Sequence, residues 1–315
     1  MHITLRQLEI FKAVAQSGRV TIAAEKLFIS QPAASMALAE LEKHLGSLFD
    51  RTQGAGLKLN DSGRALLPRA CELLDRAKEL ETEYNVTGAY SSGALILNAS
   101  STIGNNVMPR IINRYQEANP NINIELSIEN TRVIEQRLLD FSIDMGIVEG
   151  TCIHPDIDVT TWMADELVII CHPKHALTGS KAVTMTDLSQ EKWILREPGS
   201  GTRELFDEMI APAIALPRVG MVLNRAEAIK QAVMDGVGIA CISKIAAQSS
   251  LDAGQVTLID VAGLNLKRHF YLLTHKKRYK SNVLNRLCGF LLEDPLVVSQ
   301  PTKVALEASN STRTR

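Results

Sequence analysis

The hydrophobic period of this chain changes once, near Gly93, and no other feature limits its fold so strongly. Before that point apolar residues recur at helical spacing, apart from one short strand-like pair. Beyond it, strand-like and helix-like segments alternate. At 315 residues the chain is also too long for one ordinary core. The expected class is therefore α+β and multidomain: a largely helical N-terminal head, a long linker helix, and a C-terminal two-lobed α/β domain.

In the head, Leu5, Leu8, Phe11, Val14 and Ala15 define an amphipathic first helix that Ser17-Gly18 ends. Thr21 is the expected N-cap of a second helix running to Leu27. After a corner at Phe28-Ile29, Ser30-Gln31-Pro32 opens a third helix, with proline in the first turn where no N–H partner is required. Gly46 stops it, and 49–60 reads as a short two-stranded wing. The pattern is a winged helix-turn-helix over 1–61. Such a motif lays its second helix in the major groove of double-stranded DNA, N-terminal residues foremost. Gln31 can pair bidentately with adenine, and Pro32 or Ala33 can touch a thymine methyl. Ser30, Ser35 and Thr21 suit phosphate oxygens, Met36 continues the reading face, and Arg51 at the wing base can reach a phosphate or the minor groove. From Leu5 to Arg64 there are eight Lys/Arg against six Asp/Glu, an excess too small to argue for DNA without the motif.

Residues 62–92 read as a linker. From Ser62 to Tyr84 one helix carries Leu66, Ala70, Leu73, Leu74, Ala77 and Leu80 on one face. Nothing local is expected to bury that stripe, so pairing with a second protomer is its expected fate. Gly88 and Ser91-Ser92-Gly93 form a joint. The sensing domain is expected over 93–296, with lobe 1 at about 93–164 and 269–296 and lobe 2 at about 165–268. The polar residues 297–315 read as a disordered tail.

Two segments of that domain suit an anion. Ser100-Ser101-Thr102 follows a strand (Ala94 to Ala99) and opens a helix expected over 103–118. Arg196-Glu197-Pro198-Gly199-Ser200-Gly201-Thr202-Arg203 repeats the arrangement in the second lobe, with two arginines added. Ser and Thr are also ordinary helix N-caps, so capping is the competing reading of both. Glu149 lies at the end of another strand. It repels an anion unless Arg196 or Arg203 neutralises it, so an amino acid or carboxylate effector is the alternative to a simple anion. Glu227 is a weaker candidate.

Several classes are excluded. No apolar run approaches the roughly 20 residues that span a bilayer, and the N-terminus lacks a secretory pattern, so a cytoplasmic protein without membrane contact is expected. The five cysteines show no C-x-x-C spacing and read as buried thiols. His172-Pro173-Lys174-His175 lacks further ligands at metal spacing and reads as a surface loop; no metal or cofactor is expected. There is no Walker loop, Asp235-Gly236-Val237-Gly238 is not a dinucleotide fingerprint, and Gly199-Ser200-Gly201 is not a nucleophile elbow. An enzyme is not expected. A cytoplasmic small-molecule binding protein without a DNA role is the remaining rival.

The head also carries a resemblance. Leu5-Arg6-Gln7-Leu8, Phe11, Val14-Ala15, Ala23-Ala24-Glu25-Lys26-Leu27, Ser30-Gln31-Pro32-Ala33, Ser35, Leu41-Glu42 and Arg51 together resemble the signature of LysR-type transcription regulators. Where those often carry arginine, this chain has Met36. The sensing domain, with Ser100 to Asn105, Glu149-Gly150 and Leu195 to Glu204, is most similar to the YeiE-like branch and to the LysR regulators of sulfur assimilation (CysB-like). The resemblance implies a periplasmic-binding-protein-like effector domain, a small sulfur oxyanion or sulfur-pathway metabolite in its cleft, and homotetramers built as dimers of dimers. RNA polymerase is an implied partner.

Overall fold

A computed structural model of the chain describes residues 2–52, 56–84, 93–180, 183–214 and 216–293. It divides into two compact units, 1–159 with 272–287 and 160–271 with 288–315. The chain passes between them inside two long strands, at Val159/Thr160 and Tyr271/Leu272.

The first unit opens with helices α1 (Leu5–Ser17), α2 (Val20–Lys26) and α3 (Gln31–Leu45), strands β1 (Phe49–Thr52) and β2 (Gly56–Leu59), and helix α4 (Asp61–Tyr84). A reciprocal Thr4/Gln7 capping box starts α1, and Gly18, at φ +67°, ends it with a left-handed turn that a Cβ would disfavour. The carbonyl of Gly18 then accepts the Leu57 N–H at 2.8 Å, which ties the wing to the α1–α2 corner. Phe11, Val14, Ala34, Leu41 and Leu48 are fully buried between these elements. The N-cap of α2 is Arg19, and Thr21 stands inside the helix, one residue past its start. The expected cap fails because the Ser17 hydroxyl already accepts the Arg19 N–H and sets the chain into helix earlier.

The α4 stripe is also divided differently from the expectation. Leu67, Ala70, Cys71 and Leu74 are buried in the head core against α1, so the head itself covers half of the apolar face. Leu73 and Leu80, 52% and 57% exposed, carry the remainder.

The α/β part of this unit holds β3 (Gly93–Ala99), α5 (Ser101–Asn106), α6 (Met108–Ala118), β4 (Ile122–Ile128), α7 (Thr131–Leu139) and β5 (Met145–Val148). Strand β3 is central and parallel to both β4 and β5, pairing Ala99 with Ile128 and with Ile147. The helix expected over 103–118 is two helices. Val107 breaks it, and Pro109, which cannot donate to a preceding turn, stands in the first turn of α6. One consequence is a weaker dipole at Ser100, because only six residues of α5 stand behind it.

The second unit contains β6 (Ile157–Cys171, from Thr160), α8 (Met185–Ser189), β7 (Lys192–Arg196), α9 (Gly201–Met209), a 3-10 turn at Ala211–Ile214, β8 (Arg218–Leu223), α10 (Ala226–Met234), β9 (Ile239–Ser243), α11 (Lys244–Asp252), β10 (Thr257–Ile259) and β11 (Lys267–His275, to Tyr271). Strand β7 is parallel to β8 and β9, while β6 is antiparallel to β9 and β10. Trp193, fully buried, meets Phe206 edge-on at 4.9 Å and donates its indole N–H to Leu188 at 3.2 Å. Helix α12 (Asn282–Glu293) closes the described chain.

Candidate DNA-reading face and effector site

At the start of α3, Ser30 is a working N-cap: its hydroxyl accepts the Ala33 N–H at 3.4 Å. Gln31, Pro32, Ala33 and Met36 are exposed on one end of the helix, while Ala34 and Leu38 face the core. Gln31 donates its amide to the Ser35 hydroxyl at 2.8 Å. Thr21 is exposed on α2. The side chain of Arg51 lies outside the described residues. Phe28, which the sequence marked only as a corner, takes a left-handed conformation at φ 55° and exposes 96% of its surface. An exposed aromatic ring before the reading helix is invisible to periodicity, since a corner has none.

The C-terminal ends of β3, β4 and β5 gather the polar groups of the first unit. Ser100, Ser101 and Thr102 follow β3, Thr131 follows β4, and Glu149 follows β5; all five are buried. The Ser101 hydroxyl lies 3.4 Å from the Asn105 amide. Ser100 occupies the N-cap position of α5, yet its side chain makes no capping bond. Among the described residues, Ser100 Oγ and Thr131 Oγ1 have no hydrogen-bond partner. Leaving a buried hydroxyl unpaired costs about 1–3 kcal/mol, so each points to a group received from elsewhere. Sequence reasoning missed Thr131, because Asn130 supplies the capping signal there and does cap, accepting the Val133 N–H at 3.0 Å.

In the second unit Ser200 stands at the N-cap of the nine-residue α9, again without a capping bond, and its buried Oγ has no partner among the described residues. Gly201 and Thr202 form the buried first turn. The two arginines expected to meet an anion are already held by carboxylates. Arg196 is bidentate to Glu197 at 2.8 and 3.0 Å, whereas Arg203 shares its Nε–H between the two Asp207 oxygens at 2.9 Å and donates through Nη1 to the Arg196 carbonyl. The adjacent-residue pair escaped notice because spacing alone does not show which charges close on each other. Glu227 is exposed on α10, paired with the buried Lys230 at 2.8 Å.

A third polar cluster joins the head to its own lobe. Gln16 of α1 donates to the carbonyls of Phe141 and Asp140, and the Phe141 ring is buried within the head core. Arg278 donates to the Phe141 carbonyl at 3.3 Å and pairs with both Asp144 and, on α4, Asp75. Burial pushes the Asp75 carboxyl above the usual carboxylate range, against the pull of Arg278. Glu79 of α4 accepts from the Tyr279 hydroxyl at 2.7 Å and from the Asn282 N–H at 2.9 Å. This seam was not anticipated from the sequence.

Of the cysteines expected to be buried, Cys71, Cys171 and Cys241 are, whereas Cys152 and Cys288 are half-buried. Burial pushes the Cys241 thiol up to about 12 and the Cys152 thiol up to about 11, and it raises Cys71 and Cys171 as well. His175 pairs with Glu191 at 3.2 Å, and among the described residues no His/Cys/Asp/Glu group could hold a metal ion. No helix among them is long and apolar enough to cross a membrane.

Comparison with known families decides the identity. Residues 5–64 match the model described as bacterial regulatory helix-turn-helix protein, lysR family, and residues 88–295 match the LysR substrate binding domain. The chain belongs to the LysR family. It is therefore a DNA-binding transcription regulator with an effector-binding domain, in a family that is not enzymatic. Among its relatives is the uncharacterized HTH-type transcriptional regulator YeiE of Escherichia coli K12, 41% identical over 291 residues, covering 92% of this chain and 97% of that one. A full-length OxyR from Pseudomonas aeruginosa, solved as a cysteine-to-aspartate variant, shares the fold of this LysR regulator at a TM-score of 0.71, with 19% identity and coverage of 97% and 100%. The CcmR regulatory domain from Synechocystis, in complex with 2-PG, is 27% identical at a TM-score of 0.60, covering 64% of this chain and 96% of that one.

The exposed start of α3 carries a prediction. Gln31→Ala is expected to weaken binding to a cognate operator by roughly ten- to one-hundred-fold, the worth of one bidentate base contact. The melting temperature should stay unchanged, because Gln31 is exposed. Equal weakening on operator and random DNA in a gel-shift titration would mean that Gln31 reads no base.

Proposed function

We propose that this regulator responds to a small oxyanion, of sulfur chemistry by its branch resemblance, and that each unit carries a hydroxyl-rich loop suited to it, Ser100-Ser101-Thr102 in the first and Ser200-Gly201-Thr202 in the second. One observation carries the reading: Ser100 and Ser200 stand at helix N-cap positions, buried, and cap nothing. Elsewhere in the chain Thr4, Ser30, Asn130, Thr184 and Ser243 do cap their helices, so these two hydroxyls depart from the chain's own habit. Arg196 and Arg203, closed on carboxylates, serve here to shape the second loop. Gln31, Pro32, Ala33, Met36 and the phosphate-suited Thr21, Ser30, Ser35 and Arg51 read the operator in this proposal. Leu73 and Leu80 of α4 contribute to self-association, as a dimer of dimers acting in the cytoplasm with RNA polymerase. Effector binding alters the pairing of dimers and so the spacing of the heads.

Buried Glu149 favours a second reading, an amino acid whose ammonium group meets that carboxylate. Calorimetric titration of the full chain with sulfite, sulfate, thiosulfate and O-acetylserine separates the two. Saturable binding of a sulfur oxyanion, weakened about tenfold or more by Ser100→Ala, is the expected result. Binding of O-acetylserine alone, abolished by Glu149→Gln, would favour the amino acid. An operator footprint that is identical with and without the bound ligand would sink the switching part of the proposal.

A further inference from the structure

Arg268, near the start of β11, is a residue that no pattern in the sequence singled out. Its side chain is 6% exposed, and each of its nitrogens has a different fate. Nε donates to Asp165 Oδ2 at 2.7 Å, and Asp165 Oδ1 in turn accepts from the Ser243 hydroxyl at 2.7 Å. Nη1 donates to Thr202 Oγ1 at 3.0 Å, which sets the guanidinium against the first turn of α9. Nη2 is buried and, among the described residues, has no acceptor.

All of these residues belong to the second unit, so the arrangement stands within one compact body. A buried guanidinium N–H without an acceptor is expensive, more so than a neutral donor. The adjoining turn offers Ser200 Oγ, a second buried polar atom without a partner, together with the N-terminal N–H groups of a nine-residue helix. Ser200 stands at the N-cap position of that helix, and Thr202, the partner of Arg268, belongs to its first turn. The ion pair with Asp165 already balances the charge of Arg268, so what remains is a positioned donor rather than a free cation. Such a set recognises a compact ligand that presents acceptor oxygens on neighbouring bonds.

We propose that Arg268 is an effector-binding residue, donating through Nη2 to one oxygen of a small oxyanion while Ser200 Oγ donates to another. Asp165 and Ser243 hold the guanidinium in that orientation. The proposal rests on the reading of this domain as an oxyanion sensor and names the group in the second unit that binds the anion most strongly. It also gives Arg196 and Arg203, closed on their own carboxylates, no direct contact with the ligand.

The test uses the full-length protein titrated calorimetrically with sodium sulfite, sodium sulfate and sodium acetate, in four forms: unaltered, Ser200→Ala, Arg268→Lys and Ser100→Ala/Thr102→Val. Arg268→Lys keeps a positive charge beside Asp165 but cannot serve Asp165, Thr202 and a ligand together. It is expected to weaken binding of the preferred anion by roughly ten- to one-hundred-fold, the worth of a hydrogen bond to a charged group. Ser200→Ala removes a hydroxyl with no internal partner. The ligand-free melting temperature should therefore hold or rise, while anion binding falls by about tenfold. That opposite movement separates a ligand contact from a structural one, and it needs no variant of doubtful folding. Undiminished affinity in both Ser200→Ala and Arg268→Lys, with loss confined to the Ser100→Ala/Thr102→Val form, would overturn the role of Arg268 and leave the sensor reading standing. No binding of any of the three anions by the unaltered protein would overturn both.

Discussion

Phe141→Ala is expected to lower the melting temperature of the full chain by about 10 °C. The ring is 3% exposed, buried in the head core, and meets the His275 ring at a centroid distance of 4.2 Å. Truncating a buried phenylalanine costs about 3–5 kcal/mol, and a unit of this size shifts by a few degrees per kcal/mol. A companion variant sharpens the expectation. Phe141 adopts φ 54°, a left-handed conformation that a Cβ disfavours, so Phe141→Gly loses the same ring but relieves the backbone by about 1 kcal/mol. Calorimetric scans should therefore rank Phe141→Gly at or above Phe141→Ala, both well below the parent. The reverse order would show that the left-handed turn carries no strain.

Arg278→Met should be comparably damaging, with a distinctive dependence on pH. The guanidinium, 6% exposed, is shared by Asp75 and Asp144, which are themselves only 17% and 15% exposed. Removing one member of a buried ionic group costs about 3–5 kcal/mol, because charge is left without compensation. Burial already raises the Asp75 carboxyl, and Arg278 is the largest influence opposing that rise. Without it the carboxyl rises further in the folded protein while its unfolded value is unchanged. A folded state that binds a proton more readily than the unfolded one gains stability as pH falls through the raised value. The deficit of Arg278→Met relative to the parent should thus be largest at neutral pH and shrink on acidification. Urea denaturation of both proteins at several pH values measures it. A deficit that widens on acidification would contradict the account.

Much of this molecule was legible in its residue order where the signals are local. The Ser30-Gln31-Pro32 start, the wing around Gly56, and the strands before Ser100 and Ser200 all appear where their patterns place them. The failures share a cause, which is that spacing does not say what lies opposite. The α4 stripe looked unpartnered because its cover, α1, is some fifty residues away in sequence. The 103–118 helix looked continuous because Pro109 is compatible with a helix start as well as with a break. Strand β8 and helix α11, with weaker alternation, were not delineated at all. At the effector site the hydroxyl loops were visible as motifs, whereas Arg268 depends on Asp165, 103 positions away, for its place. Arg196 and Arg203 attracted attention as charges, and only the three-dimensional arrangement shows Glu197 and Asp207 closing on them.

The seam between the head and its lobe bears on how this protein can be cut and rejoined. Helix α7 begins at Thr131, beside the buried hydroxyls of its lobe, and ends just before Asp140 and Phe141, which Gln16 holds. A hybrid regulator joined between the two family matches, taking its reading head from one protein and its sensor from another, would keep every matched residue of both modules. It would nevertheless pair a foreign helix with Gln16, leave Phe141 without its pocket, and strand Asp75 and Glu79 opposite side chains they were not matched to. The boundary between the two family matches and the mechanical boundary of this molecule are different places. Exchanging sensors among such regulators therefore requires moving the faces of α1 and α4 together with the lobe they grip.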